Sequence, residues 1–242
     1  MAFKNKVDLH LHTDNSEDGS HAATLMCEYA LRVGLRAIAI TDHCECNRYL
    51  EGRYDRSIRQ SYFEARKAKA VFSGKLVVLA GMELGQATQN REAAQKALEA
   101  NSYDFVLGSL HNVQGEPDFW EVDYQKADYL ELLDRYFTEL YELVQWGRFD
   151  SLAHLTYPLR YIVGEHHLPV DLARWSDQID TILKKLAEQG KALELNTSGL
   201  RQAYGHILPS LDILKRFHEL GGEYITIGSD AHCCSDVGAN IE

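Results

Sequence analysis

Asp8, His10 and His12 alternate with Val7, Leu9 and Leu11 in one short run. A strand's period of two therefore gathers the three polar side chains on one face and the apolar ones on the other. Two imidazoles at i, i+2 can converge on one ion, and a neighbouring carboxylate can orient a ring by accepting its second N–H. One His-x-His alone says little. Its weight comes from what ends the later apolar runs: Thr41-Asp42-His43, Gly81-Met82-Glu83, His111, His154, Glu194 with Asn196, and Ser229-Asp230-Ala231-His232. Taken singly, each reads as an ordinary satisfied polar residue. Buried together without cations they would be costly to desolvate, whereas divalent ions turn the same set into a stabilised site. Imidazole and carboxylate ligands without thiolate suit Zn, Mn or Fe.

The elements that must position these residues follow from periodicity. Short runs rich in Val, Ile and Leu at 7–12, 37–41, 76–83, 105–110, 151–154, 192–196 and 224–229 read as strands. Segments of helical period fill 22–33, 58–72, 91–100, 127–146, 172–189 and 210–220, with Gly34, Gly74, Gly147, Gly190 and Gly221 where C-caps would lie. Repeated strand–helix units without a break in composition predict one α/β domain over 1–242, a barrel or barrel-like sheet that carries its site at the C-terminal rim of the strands. The connections at 44–57 and 112–125 exceed what a turn needs and read as lids, substrate-binding segments or plain surface loops. Glu242 follows the seventh strand closely, so the expectation is either a barrel left open or a chain without its C-terminal tail.

Composition sets the outer limits. At 242 residues, 45% hydrophobic and 25% charged with 4 prolines, the chain can bury one large core. A formal charge of -11 with no basic stripe argues against a nucleic-acid partner, while cations and one or two arginines can still make a pocket locally attractive to an anionic small substrate. No apolar stretch is long enough for a signal peptide or a membrane span, which points to the cytoplasm and to no membrane partner. The 5 cysteines show no C-x-x-C spacing and read as free thiols. Nothing in the sequence separates a monomer from a homodimer.

In their order, Asp8-x-His10-x-His12, Thr41-Asp42-His43, Glu83, His111, His154 and Ser229-Asp230-x-His232 resemble the successive motifs of the polymerase and histidinol phosphatase (PHP) superfamily, from Val7 to about Gly238. The resemblance implies a distorted (β/α)7 TIM-like barrel with three divalent metal ions. It implies that His10, His12, Glu83 and Asp230 hold the first, and that Glu83 bridges to a second held also by His111 and His154. The third falls to His43 and His232, with Asp18 as carboxylate partner and the adjacent Glu17 as competitor. It makes His10, His12, Glu83, Asp230 and His232 the core of the catalytic apparatus. Where many relatives have Gly-His-x-Asp, this chain reads Ala153-His154-Leu155-Thr156, so one outer carboxylate is missing.

The compact form resembles monofunctional histidinol-phosphate phosphatases more than polymerase domains, through 111–124, Tyr157-Pro158-Leu159-Arg160 and Glu194-Leu195-Asn196-Thr197-Ser198-Gly199 with Arg201. This implies hydrolysis of L-histidinol phosphate, a step of histidine biosynthesis. Arg160 and Arg201, whose planar forks match phosphate oxygens, are the candidate anchors, with surface ion pairing as the competing reading. His206 is a further candidate for substrate contact, and Glu116, Asp118, Trp120, Glu121 and Asp123 could recognise an amine or imidazole. A phosphotyrosyl peptide or a nucleotide as substrate, and a metal-binding module without turnover, remain the alternatives. Glu165-His166-His167, His21 and His218 read as surface.

Overall fold

The computed structural model describes residues 5–241, so the chain ends Met1 and Glu242 lie outside the described residues. Strands and helices alternate: β1 (Lys6–Leu11), α1 (Ala23–Arg32), β2 (Leu35–Ile40), β3 (His43–Glu45), α2 (Tyr54–Val71), β4 (Val77–Gly85), α3 (Arg91–Ala100), β5 (Phe105–Ser109), α4 (Tyr129–Trp146), β6 (Ser151–Leu152), α5 (Ser176–Glu188), β7 (Ala192–Asn196), α6 (Leu211–Glu219) and β8 (Ile225–Gly228). All pairings are parallel, in the order β1-β2-β4-β5-β6-β7-β8, with β3 on β4. Ile40 pairs with Ala80 and His43 with Glu83, so β3 continues β2 in register after a two-residue interruption, and the two fill one barrel position.

The barrel does not stay open. Beyond β8, Asp230 N–H donates to His10 O at 2.9 Å and His12 N–H donates to Ala231 O at 2.9 Å, joining the last barrel position to the first. A seven-position parallel barrel results, as expected. It closes through the residues that follow β8 rather than through the strand itself.

The pleat explains where the core sits. On β4, Val78, Ala80, Met82 and Leu84 face outward into the apolar layers under the helices, while Leu79 and Glu83 lie on the other face. Leu79 packs with Ala39, Phe105, Leu107 and Ala153, an apolar cluster that fills part of the barrel below Glu83. The helices have the stop signals the sequence shows: the five glycines at their ends all take left-handed φ, and Gly147 N–H closes α4 on Leu143 O. No helix among the described residues is long and apolar enough to cross a membrane, and the cysteines are free.

One sequence expectation needs correction. Segment 44–57 is not a loop: it holds the end of β3, a 3-10 turn at Cys46–Arg48 and the start of α2, with Cys44, Cys46, Tyr49 and Tyr54 buried. Arg53, at φ 56°, makes the left-handed turn that lets α2 begin at Tyr54, four residues before the periodicity alone suggests. Segment 112–125 lacks regular structure but is anchored by buried Phe119, Val122 and Tyr124; Phe119 N–H donates to His111 O and Tyr124 OH donates to Phe119 O. It lines the main cavity through Asp118, Trp120 and Glu121, in keeping with the reading as a substrate-binding segment, with Trp120 exposed.

Candidate metal centre

His10 and His12 enter the barrel side by side from β1, and each has its Nδ1 proton assigned by a partner. His10 Nδ1 donates to Glu194 Oε1 at 2.7 Å. Gly228 makes that pair possible, because a Cβ there would collide with both His10 and the Glu194 carboxylate. His12 Nδ1 faces Ser16 Oγ at 3.3 Å, and Ser16 in turn donates to Asp42 at 2.9 Å. With both Nδ1 atoms turned to these partners, the Nε2 atoms of His10 and His12 are the ring positions left for a metal, and they face one another across 3.0 Å. Glu83 Oε2 stands 3.2 and 3.4 Å from the same two nitrogens, and Asp230 Oδ1 3.6 and 3.4 Å.

The other oxygen of Glu83 faces a different pair. Oε1 is 3.0 Å from His111 Nε2 and 3.0 Å from His154 Nε2, and those two nitrogens are 3.4 Å apart. His111 Nδ1 donates to Glu45 Oε1 at 3.1 Å, so its Nε2 is again the nitrogen left for a metal. His154 differs: its Nδ1 is buried without a partner, and so is Thr156 Oγ1, the residue standing where a carboxylate was missed in the sequence.

A third group forms at the rim. Asp18 Oδ2 is 3.0 Å from His232 Nε2 and 3.7 Å from His43 Nε2. The His12 ring stacks between those of His43 and His232, 4.2 Å from each. Glu17 also lines the cavity, but Asp18 is the carboxylate within reach of both rings. Spacing left these two unresolved; the turn at Ser16–Gly19 separates them.

Ring nitrogens facing ring nitrogens, with carboxylates between them, form an arrangement that a cation satisfies. The electrostatics agree. Burial opposes ionisation of Glu83 and Asp230, yet the surrounding imidazoles hold both carboxyls well below their ordinary range. Burial and the neighbouring His232 and His43 push His12 down to about 3, a neutral ligand. Burial works against charge on His111, but Glu45 and Glu83 raise it to about 10, so protons take the cation's place on this ring when no metal is bound. His154 and Asp230 also sit at φ 22° and 54°. For non-glycine residues such conformations cost about 1–3 kcal/mol and persist where a site demands them.

The structure sorts the remaining candidates. Arg160 opens a π-helical turn, is buried, and donates to Asp230 Oδ2 at 3.0 Å and Ser198 Oγ at 2.8 Å while lining the main cavity. Arg201 donates to Ser229 O at 2.7 Å and lines an adjoining cavity together with Arg160, Asp230 and His232. His206 is not brought to the cluster. Its backbone oxygen packs against Gly199 and its exposed ring lies against Tyr204, because the segment returns along β7 with Leu208, not His206, turned inward. Glu165, His166, His167 and His218 are exposed as expected, while His21, half-buried, accepts from Cys234 N–H. Sequence reasoning missed Glu45. The signal was its place two residues after His43, which a strand puts on the same face.

Glu194 ties the two sides of the cluster together, since its Oε2 accepts from His154 N–H at 2.7 Å while Oε1 holds His10. Glu194→Ala is expected to weaken metal binding by roughly 10- to 100-fold, measured by titrating the metal-free protein with zinc.

A parallel barrel whose rim gathers histidines and carboxylates in this way belongs to the class of metal-binding (β/α) barrels. The model of the PHP domain family matches residues 8–198, and the chain belongs to that family. A Clostridium acetobutylicum protein named "probable histidinol-phosphatase" is 30% identical over 241 residues, 97% of this chain and 89% of the relative. The histidinol-phosphatase of Lactococcus lactis is 26% identical over 231 residues, 94% and 84% of the two chains. The crystal structure of a Lactococcus lactis histidinol phosphate phosphatase, complexed with zinc, L-histidinol and phosphate, superposes with a TM-score of 0.79 at 26% identity, covering 95% of this chain and 87% of that one. Together with the cluster of His, Glu and Asp side chains, these likenesses support the use of divalent metal.

Proposed function

We propose that the chain, as one domain over 1–242, is a metal-dependent phosphomonoesterase that hydrolyses L-histidinol phosphate to L-histidinol and phosphate, using three divalent ions drawn from Zn, Mn or Fe. The observation that carries this reading is the split of Glu83, whose two oxygens face two separate groups of imidazoles. In this scheme His10, His12, Glu83 and Asp230 hold one ion; Glu83, His111 and His154 hold the next; Asp18, His43 and His232 hold the third. Such ions supply Lewis acidity and a water acidic enough to act as nucleophile near neutral pH.

The chain's own residues do the rest. The carboxylates of the cluster would repel a phosphate, so the substrate binds only where cations offset them. Arg160 lies at the edge of that zone with its Nη2 on Asp230, and its fork orients the phosphate while helping His10 and His12 keep Asp230 ionised. The neighbouring part of the cavity suits a cationic head group: Asp118 accepts from Tyr157 OH at 2.9 Å and lines the cavity with Trp120, Glu121 and Tyr161. Glu116 and Asp123 are committed elsewhere, to Arg135 and Lys126. The substrate is thus read as a small phosphate ester with a positively charged remainder. A chain of charge -11 with free cysteines fits a cytoplasmic enzyme that takes neither nucleic acid nor membrane as partner.

A panel of phosphate esters assayed with added manganese or zinc tests the reading. L-Histidinol phosphate is expected to exceed phosphotyrosine, nucleotides and oligonucleotide ends in kcat/KM by roughly 100-fold, the discrimination a site gains from polar groups that a wrong substrate leaves unpaired. Preference for any of the others would overturn the choice of substrate.

A further inference from the structure

Glu45 belongs to none of the three ligand groups, yet it touches two of them. β3 places it on the same face as His43, opposite Gly85 of β4. Its Oε1 accepts from His111 Nδ1 at 3.1 Å; it also lies 3.3 Å from His43 Nδ1, which makes no hydrogen bond and stands 3.0 Å from Glu83 Oε2. Gly85 clears the space for this, because a Cβ there would collide with both Glu45 carboxylate oxygens.

The need for such a support differs among the histidines. His10 and His12 each have an outer partner of their own in Glu194 and Ser16. His154, on the second group, has its Nδ1 buried without one. Orientation of the second group therefore falls on His111, and through it on Glu45.

We propose that Glu45 is a positioning residue that orients His111 by its hydrogen bond and packs against the His43 ring, and so links the second and third metal positions, an inference that rests on the metal scheme proposed above. It acts through the two imidazoles and leaves the first position, held from β1, untouched.

The test is a zinc titration of the metal-free full chain, with helix content and melting followed by circular dichroism. Wild type is expected to take up three equivalents. Glu45→Ala is expected to keep one at wild-type affinity and to weaken two by roughly 10- to 100-fold. Glu45→Gln, which retains an acceptor oxygen without the charge, is expected to restore binding to within about threefold of wild type, since orientation and not charge is the claim. Gly85→Ala crowds the carboxylate off both rings and gives the same loss of two equivalents should Glu45→Ala prove too unstable to titrate. Three equivalents of wild-type affinity in Glu45→Ala or Gly85→Ala would overturn the inference, as would equal weakening of all three or a Glu45→Gln variant no better than Glu45→Ala. Wild-type protein that binds no zinc would instead overturn the metal scheme itself, and this inference with it.

Discussion

Glu83→Gln is expected to lower kcat/KM for L-histidinol phosphate by about 10³-fold or more, a loss of roughly 4 kcal/mol of transition-state stabilisation. The substitution changes almost nothing in shape. What it removes is the ability of one buried carboxylate to serve two groups: Oε2 lies against His10 and His12, and Oε1 against His111 and His154. The amide offers one oxygen and turns an NH2 toward the other pair of lone pairs, where it donates hydrogen bonds in the cation's place. The fold should survive, because those donors satisfy the imidazoles they face. Metal content and kinetics measured on the same sample check the prediction. A Glu83→Gln protein with full metal occupancy and undiminished turnover would show that no bridging carboxylate is needed.

Removing the metal is expected to have the second large effect. Dialysis against a strong chelator should abolish turnover and lower the melting temperature by roughly 5–10 °C, and zinc or manganese should restore both. The size follows from linkage: a ligand at about 100 times its Kd stabilises by about 2.7 kcal/mol, and each kcal/mol shifts melting by about 2–4 °C in a chain of this length. The direction follows from the cluster, in which Glu83 and Asp230 are buried as anions among imidazoles. Protons are the alternative cations. His111, with Glu45 and Glu83 beside it, holds its proton up to about pH 10 when no metal is bound, so metal binding must expel it. Apparent metal affinity therefore rises with pH across the neutral range and falls as acid returns protons to the rings. Calorimetric scans with and without chelator at two pH values measure both effects; a melting temperature indifferent to the chelator would mean the cluster is not a metal site.

How much of this was legible beforehand differs from residue to residue. His10 and His12 could be paired from sequence because the strand period is a local property: backbone sterics alone decide that i and i+2 share a face. The same rule applied to His43 would have found Glu45, but the two-residue interruption at Thr41-Asp42 hid the continuing strand, and β3 is held in place by pairing with β4, far away in the chain. The order of strand-end histidines and carboxylates carried the family resemblance and the expected ligand groups.

His206 shows the opposite case. Its nearness in sequence to Arg201 suggested the site, but the return of the chain along β7 turned Leu208 inward and left the ring outside. Barrel closure was equally out of reach, since it depends on Asp230 and Ala231 meeting His10 and His12 across more than two hundred residues.

The sequence by itself determined which side chains have metal-binding chemistry and that His10 and His12 share a face, because side-chain chemistry and strand periodicity act over a few bonds. Only the tertiary structure decided that Asp18 rather than Glu17 meets the rim histidines, which ring nitrogens are free, and that one carboxylate can face two pairs of imidazoles. Those depend on the packing of distant strands around a common axis, where displacements of about an ångström separate a ligand from a bystander.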